Sequence, residues 1–194
     1  MDADLETILI DEQQISRRLD DLAARMVAEV PREGGVPAEI VLIPIMTGAL
    51  VFTADLIRRI PTMLCLHTVA ISSYGRATQP GEASFNRELT SLPDDLSGRH
   101  VILVDDILDS GQTLKMAQAH VLERGPASMK TCVLLRKPTN AARAVPVEYV
   151  GFDIPDRFVV GYGLDLAGYY RNLPMIAVPR ASVIERLVEP SATS

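Results

Sequence analysis

Apolar residues at Ile15, Leu19, Leu22, Met26 and Val30 recur at steps of three and four. That spacing puts side chains on one face of a helix, so the stretch before Pro31 is predicted to be an amphipathic helix. The pattern then changes. After a PREGGVP loop, EIVLIPIM (39–46) is a continuous apolar run, as expected of a strand buried on both faces in a parallel sheet. Thr47-Gly48 reads as a turn, and Leu50, Ala54 and Ile57 return to helical spacing until Pro61. Further strands are predicted over 63–72, 86–92 (NRELTSL), 101–104 and 131–135, with strand-like runs at 148–152 and 158–162. Helices are predicted over 112–124 and 183–188. Strand, turn, helix and strand in this order imply an α/β fold with a mostly parallel central sheet flanked by helices. In such sheets ligands bind beyond the carboxyl ends of the strands.

Composition narrows the class. A chain of 194 residues that is 47% apolar buries enough surface for one domain, 1–194. The net charge of −6, with no run rich in Lys or Arg, argues against a nucleic-acid partner. Small anionic substrates stay open, because backbone amides and a metal ion often hold phosphate. Cys65 and Cys132 lie in apolar runs and match no metal spacing, so both are expected to be reduced core residues. His67, His100 and His120 are scattered and read as structural. The acidic N-terminus lacks the basic region of a secretory signal, and no apolar run nears the roughly 20 residues that span a bilayer. The expectation is a cytoplasmic protein with no membrane partner.

The densest chemistry lies in VILVDDILDSGQTL (101–114). Four apolar residues form a strand, Asp105 and Asp106 stand at its carboxyl end, Asp109 follows, and Ser110, Gly111, Gln112 and Thr113 open a helix. Unpaired N–H groups and the positive dipole end make such a helix start an anion site. Gly111 permits a tight turn, and the hydroxyls of Ser110 and Thr113 add donors. Carboxylates repel phosphate, so Asp105 and Asp106 suit neutral hydroxyls, such as those of a ribose. A lone acid before a helix is as often a cap; the third acid and the small-residue turn favour a ligand. The segment from Ser73 to Asn86 has Gly75, Pro80 and Gly81 and is too long for an idle connection, which suggests a functional loop.

VDDILDSGQTL resembles the phosphoribosyl pyrophosphate loop of the phosphoribosyltransferases. VEYVGFDIPDRFVVGYGLDLAGYYRNLP (147–174), TGALVFTADLIRRI (47–60) and SSYG (72–75) are similar to the hypoxanthine-guanine subgroup. The likeness covers most of the chain, about 39–179. It implies a type I phosphoribosyltransferase fold with a small hood formed by the N- and C-terminal segments. The implied activity is purine salvage: transfer of the 5-phosphoribosyl group to hypoxanthine or guanine, with release of pyrophosphate and with Mg²⁺ as cofactor. A homodimer or homotetramer is implied as well.

By the same resemblance, Asp105 and Asp106 hold the ribose hydroxyls, Asp109 is the general base at purine N7, and Asp109 to Thr113 bind the 5′-phosphate. Lys137 donates to the 6-oxo group. An ammonium has donors and no acceptor, so it favours a 6-oxopurine over adenine. Phe158 stacks on the purine and Val159 contacts it through its backbone. Asp165, with Asp105 and Asp106, is associated with the metal; Thr47, Gly48 and Arg171 meet pyrophosphate; Ser73 and Tyr74 belong to a lid that excludes water from an oxocarbenium-like centre. Read without the resemblance, Lys137 is a solvated strand-end lysine, Phe158 a core residue, and Asp165 and Arg171 a surface acid and base. Thr47, Ser110 and Gln112 depart from the commoner Lys, Thr and Lys, which removes two positive charges from the phosphate sites. A xanthine-preferring enzyme, and a regulator that senses phosphoribosyl pyrophosphate on the same fold, are the alternatives.

Overall fold

The computed structural model describes residues 2–33, 35–73 and 83–188. After a short 3₁₀ turn the order is β1 (Leu5–Ile10), α1 (Glu12–Glu29), β2 (Arg32–Glu33), β3 (Val36–Pro37), β4 (Ile40–Met46), α2 (Leu50–Ile57), β5 (Leu64–Leu66), β6 (Val69–Ser73) and β7 (Ala83–Phe85). Then come β8 (His100–Leu108), α3 (Gln112–Leu122), β9 (Ser128–Arg136), α4 (Asn140–Arg143), β10 (Tyr149–Asp153), β11 (Ile176–Pro179) and α5 (Ala181–Val188). Among the described residues the central sheet runs β10-β9-β8-β4-β6-β7, with β5 also beside β4; β7 alone is antiparallel. The expected α/β architecture with a mostly parallel sheet is therefore the observed one.

Alternation along the strands explains the layers. Ile40, Leu42, Ile102 and Val104 face the side where α1 and α2 pack Ile15, Leu19, Leu22, Met26 and Phe52. Val41, Ile43, Val101 and Leu103 face Leu114, Ala117 and Val121 of α3. Strands buried on both faces need apolar residues at every position, which is the EIVLIPIM pattern. Helix α1 starts at a reciprocal cap: Asp11 Oδ1 accepts from the Gln14 N–H at 2.7 Å, and Gln14 Oε1 accepts from the Asp11 N–H at 2.9 Å. Cys132 is buried and Cys65 half-buried, both free thiols.

Four expectations are corrected. The strand predicted over 63–72 is two pieces, β5 and β6, both alongside β4. NRELTSL is a turn: Asn86 Oδ1 accepts from the N–H groups of Glu88 and Leu89, drawing the backbone out of any ladder. The run at 158–162 makes only isolated bridges, Val160 to Ala177 and Gly161 to Leu164, because Gly161, Tyr162 and Gly163 all have positive φ. Within PREGGVP, β2 and β3 pair as a short hairpin. A separate two-stranded antiparallel sheet joins β1 to β11, over a small core that includes Leu5, Val160, Leu166 and Ala177. No helix among the described residues is long and apolar enough to cross a membrane.

Candidate active site

The parallel strands deliver their carboxyl ends to one edge of the sheet. There β4 leads into Thr47-Gly48, β8 into Asp109 to Thr113, β9 into Lys137, and β10 towards Phe158. Strand β8 continues past the point expected: Asp105 and Asp106 lie inside it, and it ends only at Leu108. The side-chain period of two sends the acids to opposite faces, Asp105 with Val101 and Leu103, Asp106 with Ile102 and Val104. Asp105 is buried and Asp106 half-buried. Asp105 Oδ1 accepts from the Asp106 N–H at 3.0 Å, and Asp106 Oδ1 from the Ile107 N–H at 2.8 Å.

Burial pushes the Asp105 carboxyl well above the usual carboxylate range, and the charge of Asp106 adds to this. Burial raises Asp106 too, against hydrogen bonds and the positive charge of Arg171. A carboxyl that holds its proton more tightly in the folded chain destabilises the fold once the unfolded form ionises. The cost is absent below the usual range, grows as pH rises through it, and is complete above the raised folded value. Asp105→Asn, which keeps the Oδ1 acceptor, is therefore expected to raise the Tm of the ligand-free protein at pH 7.5 by about 3 °C or more. That gain should vanish near pH 3, where both forms of the side chain are uncharged. Scanning calorimetry against pH checks the sign.

The loop after β8 is built for close approach. Gly111 has φ +74°, and a Cβ there would stand 2.5 Å from the Val145 side chain. It precedes α3 without any side-chain cap, so the first-turn N–H groups are left for a ligand apart from a long 3.4 Å bond from Gln112 N–H to Ser110 Oγ. Ser110 and Gln112 are exposed and Thr113 half-buried. Across the loop, Thr139 Oγ1 donates to the Asp109 carbonyl at 2.9 Å.

Lys137 is not the solvated strand-end residue its local sequence suggests. Its side chain is only 11% exposed and its ammonium donates to Asp109 Oδ2 at 2.7 Å, with Asp156 Oδ1 at 3.2 Å. Burial alone would lower its pKa, but the hydrogen bonds it donates to Asp109 and Asp156 reverse the direction and hold the ammonium charged. Phe158 is 44% exposed, too open for a core residue, whereas Val159 is buried. Sequence reasoning missed Asp156, whose DR dipeptide looks like ordinary surface, and the Arg157–Glu6 pair at 2.7 Å that ties the Phe158 loop to β1.

Asp165 and Arg171 pair with each other. Arg171 Nη2 donates to Asp165 Oδ1 at 2.8 Å and Nη1 to the Gly163 carbonyl at 2.5 Å, while Asp165 Oδ2 accepts from the Gly168 N–H at 2.7 Å. Gly48 abuts the carboxylate of Asp106, where a Cβ would stand 1.8 Å from Oδ2. Thr47, joined to Met46 by a cis peptide, is exposed, and its carbonyl accepts from the Leu50 N–H. Ser73 ends β6, its backbone paired with Ala83; Tyr74 lies outside the described residues.

Most of these groups border two adjoining cavities, although Thr47 and Gln112 line neither. One of about 530 Å³ is lined by Gly48, Asp105, Asp106, Gly111, Thr113 and Arg171; one of about 230 Å³ by Lys137, Arg157, Phe158, Val159 and Leu164. Asp106, Ile107, Asp109 and Asp165 line both. The larger is polar, with a helix start and acids, and suits a phosphorylated sugar. The smaller has an aromatic face, an apolar wall and an ammonium, and suits a flat heterocycle carrying an acceptor.

Comparison with known proteins places the chain in a family. The family model described as a phosphoribosyl transferase domain matches residues 9–166. A hypoxanthine-guanine phosphoribosyltransferase of Bacillus subtilis (strain 168) is 38% identical over 186 residues, covering 95% of this chain and 99% of that one. Its counterpart in Mycobacterium avium is 38% identical over 175 residues, 89% of this chain and 85% of that one. A crystal structure of a hypoxanthine phosphoribosyltransferase from Staphylococcus aureus superimposes with a TM-score of 0.82 at 34% identity, covering 94% and 96% of the two chains. Sequence, fold and the arrangement at the sheet edge converge, and the chain belongs to the hypoxanthine-guanine phosphoribosyltransferases of the phosphoribosyl transferase family.

Proposed function

We infer that this protein transfers the 5-phosphoribosyl group of phosphoribosyl pyrophosphate to hypoxanthine or guanine, a purine-salvage reaction. The bond from ribose C1 to pyrophosphate oxygen breaks, a bond from C1 to a purine ring nitrogen forms, and pyrophosphate and a nucleoside monophosphate leave. The observation that carries this reading is the Lys137–Asp109 pair at the junction of the two cavities. One member of the pair donates to a 6-oxo acceptor, and the other accepts from a ring N–H beside it.

The residue roles are assigned from the family resemblance, and the cavity linings are consistent with them. Asp105 and Asp106 accept from the ribose hydroxyls, and the loop from Asp109 through Ser110, Gly111, Gln112 and Thr113 takes the 5′-phosphate. Phe158 stacks on the purine, Val159 meets its edge through the backbone, and Thr47, Gly48 and Arg171 hold the pyrophosphate. The β1–β11 layer is the hood, tied to the purine side through Glu6 and Arg157.

Mg²⁺ fits this donor set, which is all oxygen and includes two acids raised by burial, Asp105 and Asp106, with Arg171 offsetting this only at Asp106. Among the described residues no three such side chains form a ready-made metal cage. An ion that keeps much of its water shell would need only one or two of these carboxylates. Asp165, with Asp105 and Asp106, would hold it, and its contribution is neutralisation of the departing pyrophosphate. The working form is a homodimer or homotetramer in the cytoplasm.

Purified protein incubated with phosphoribosyl pyrophosphate, Mg²⁺ and, in turn, adenine, guanine, cytosine, thymine, uracil, xanthine and hypoxanthine tests the reading. Turnover with hypoxanthine or guanine and rejection of adenine and the pyrimidines is the expected result. Preference for xanthine would move the assignment within the family, and no turnover with any base would remove it.

A further inference from the structure

Helix α2 begins at the Thr47-Gly48 turn and carries Asp55 two turns further on. Asp55 Oδ2 accepts from the Tyr162 hydroxyl at 2.6 Å, and its other oxygen pairs with Arg58. Tyr162 is 5% exposed and stands at φ 49° between two glycines. Burial, and then the neighbouring Asp55 carboxylate, push the phenol upward, so it remains a donor at working pH.

The residue after it is the crossing point of the site. Gly163 lies against the pyrophosphate turn so closely that a Cβ would stand 2.3 Å from the Gly48 carbonyl oxygen. Its N–H donates to the Arg171 carbonyl at 3.0 Å, and its own carbonyl accepts from the Arg171 guanidinium. Gly48 in turn abuts Asp106. A displacement of residues 162–163 would therefore be felt at Gly48 and Arg171, both on the 530 Å³ cavity. The purine cavity, lined by Lys137 and Phe158, does not include them.

We propose that Asp55 and Tyr162 are positioning residues that clamp Gly163 onto the Thr47-Gly48 turn and thereby set the pyrophosphate end of the site. Neither residue lines the 530 Å³ or the 230 Å³ cavity; both border a neighbouring one of about 430 Å³ that shares Arg171. The pair matters more here because Thr47 supplies no charge, so that Arg171, held through the Gly163 carbonyl, is the cationic side chain assigned to pyrophosphate. The inference rests on the transfer reaction proposed above, and wild-type turnover with hypoxanthine tests that reaction separately.

Tyr162→Phe removes one hydroxyl and keeps the ring. Initial rates in both directions should show KM for phosphoribosyl pyrophosphate and for pyrophosphate rising about tenfold. KM for hypoxanthine should change less than twofold and Tm by no more than a few degrees. Asp55→Ala should give the same split, and Asp55→Ala/Tyr162→Phe should be no worse than either single variant, as expected of two halves of one contact. Calorimetric titration with Mg²⁺ and pyrophosphate should repeat the loss without turnover. Unchanged constants for both diphosphates in Tyr162→Phe would overturn the proposal. So would a rise in all constants together with a fall in Tm, or additive effects of the two substitutions.

Discussion

Asp109→Asn is expected to lower kcat with hypoxanthine on the order of 10²-fold while binding of phosphoribosyl pyrophosphate stays within a few-fold of wild type. The asparagine keeps an oxygen towards Lys137 but cannot take a proton from the purine ring. The backbone that forms the phosphate loop, including the Thr139 bond to the Asp109 carbonyl, is untouched. Rapid-quench measurement of a single turnover, beside calorimetric titration of the donor, separates the two quantities. Equal turnover in variant and wild type would remove the base assignment; equal loss of turnover and donor affinity would make Asp109 a binding group instead.

The second large effect is expected at Lys137. Lys137→Gln should reduce kcat/KM for hypoxanthine about 10²-fold, the worth of a charged hydrogen bond in a partly dry site. The same change should shrink discrimination against adenine by a similar factor, since glutamine offers an acceptor as well as a donor. Competition assays with both bases report the ratio directly. A kcat/KM that falls equally for every base, with discrimination intact, would mean that the lysine serves only to hold Asp109 and Asp156.

Much of this protein is legible along its chain because the signals are local. The three-and-four spacing of Ile15, Leu19, Leu22 and Met26 describes α1, and uninterrupted apolar runs describe β4 and the 101–104 part of β8, since strands covered on both faces have no polar side to show. The acids and small residues of 105–113 are consecutive, so their chemistry could be read before any fold was known. What sequence reasoning missed depends on distant partners. Strands β1 and β11 stabilise each other across the length of the chain, and neither short segment carries a strong pattern. The run at 158–162 is apolar enough for a strand, but three successive positive-φ residues turn it into the strap that meets Gly48. The surroundings of Lys137 are likewise invisible locally: burial and two carboxylates from other segments change its character. Asp55 and Tyr162, 107 positions apart, each look like routine residues of their own segment.

The account depends most on the sugar-diphosphate donor being seated where β8 passes into α3, and a crystal structure with phosphoribosyl pyrophosphate and Mg²⁺ addresses that directly. The predicted result places the 5′-phosphate on the backbone N–H groups of 110–113, the ribose hydroxyls on Asp105 and Asp106, and the pyrophosphate between Gly48 and Arg171. Density for the donor at any other part of the molecule, with this junction empty, would contradict it.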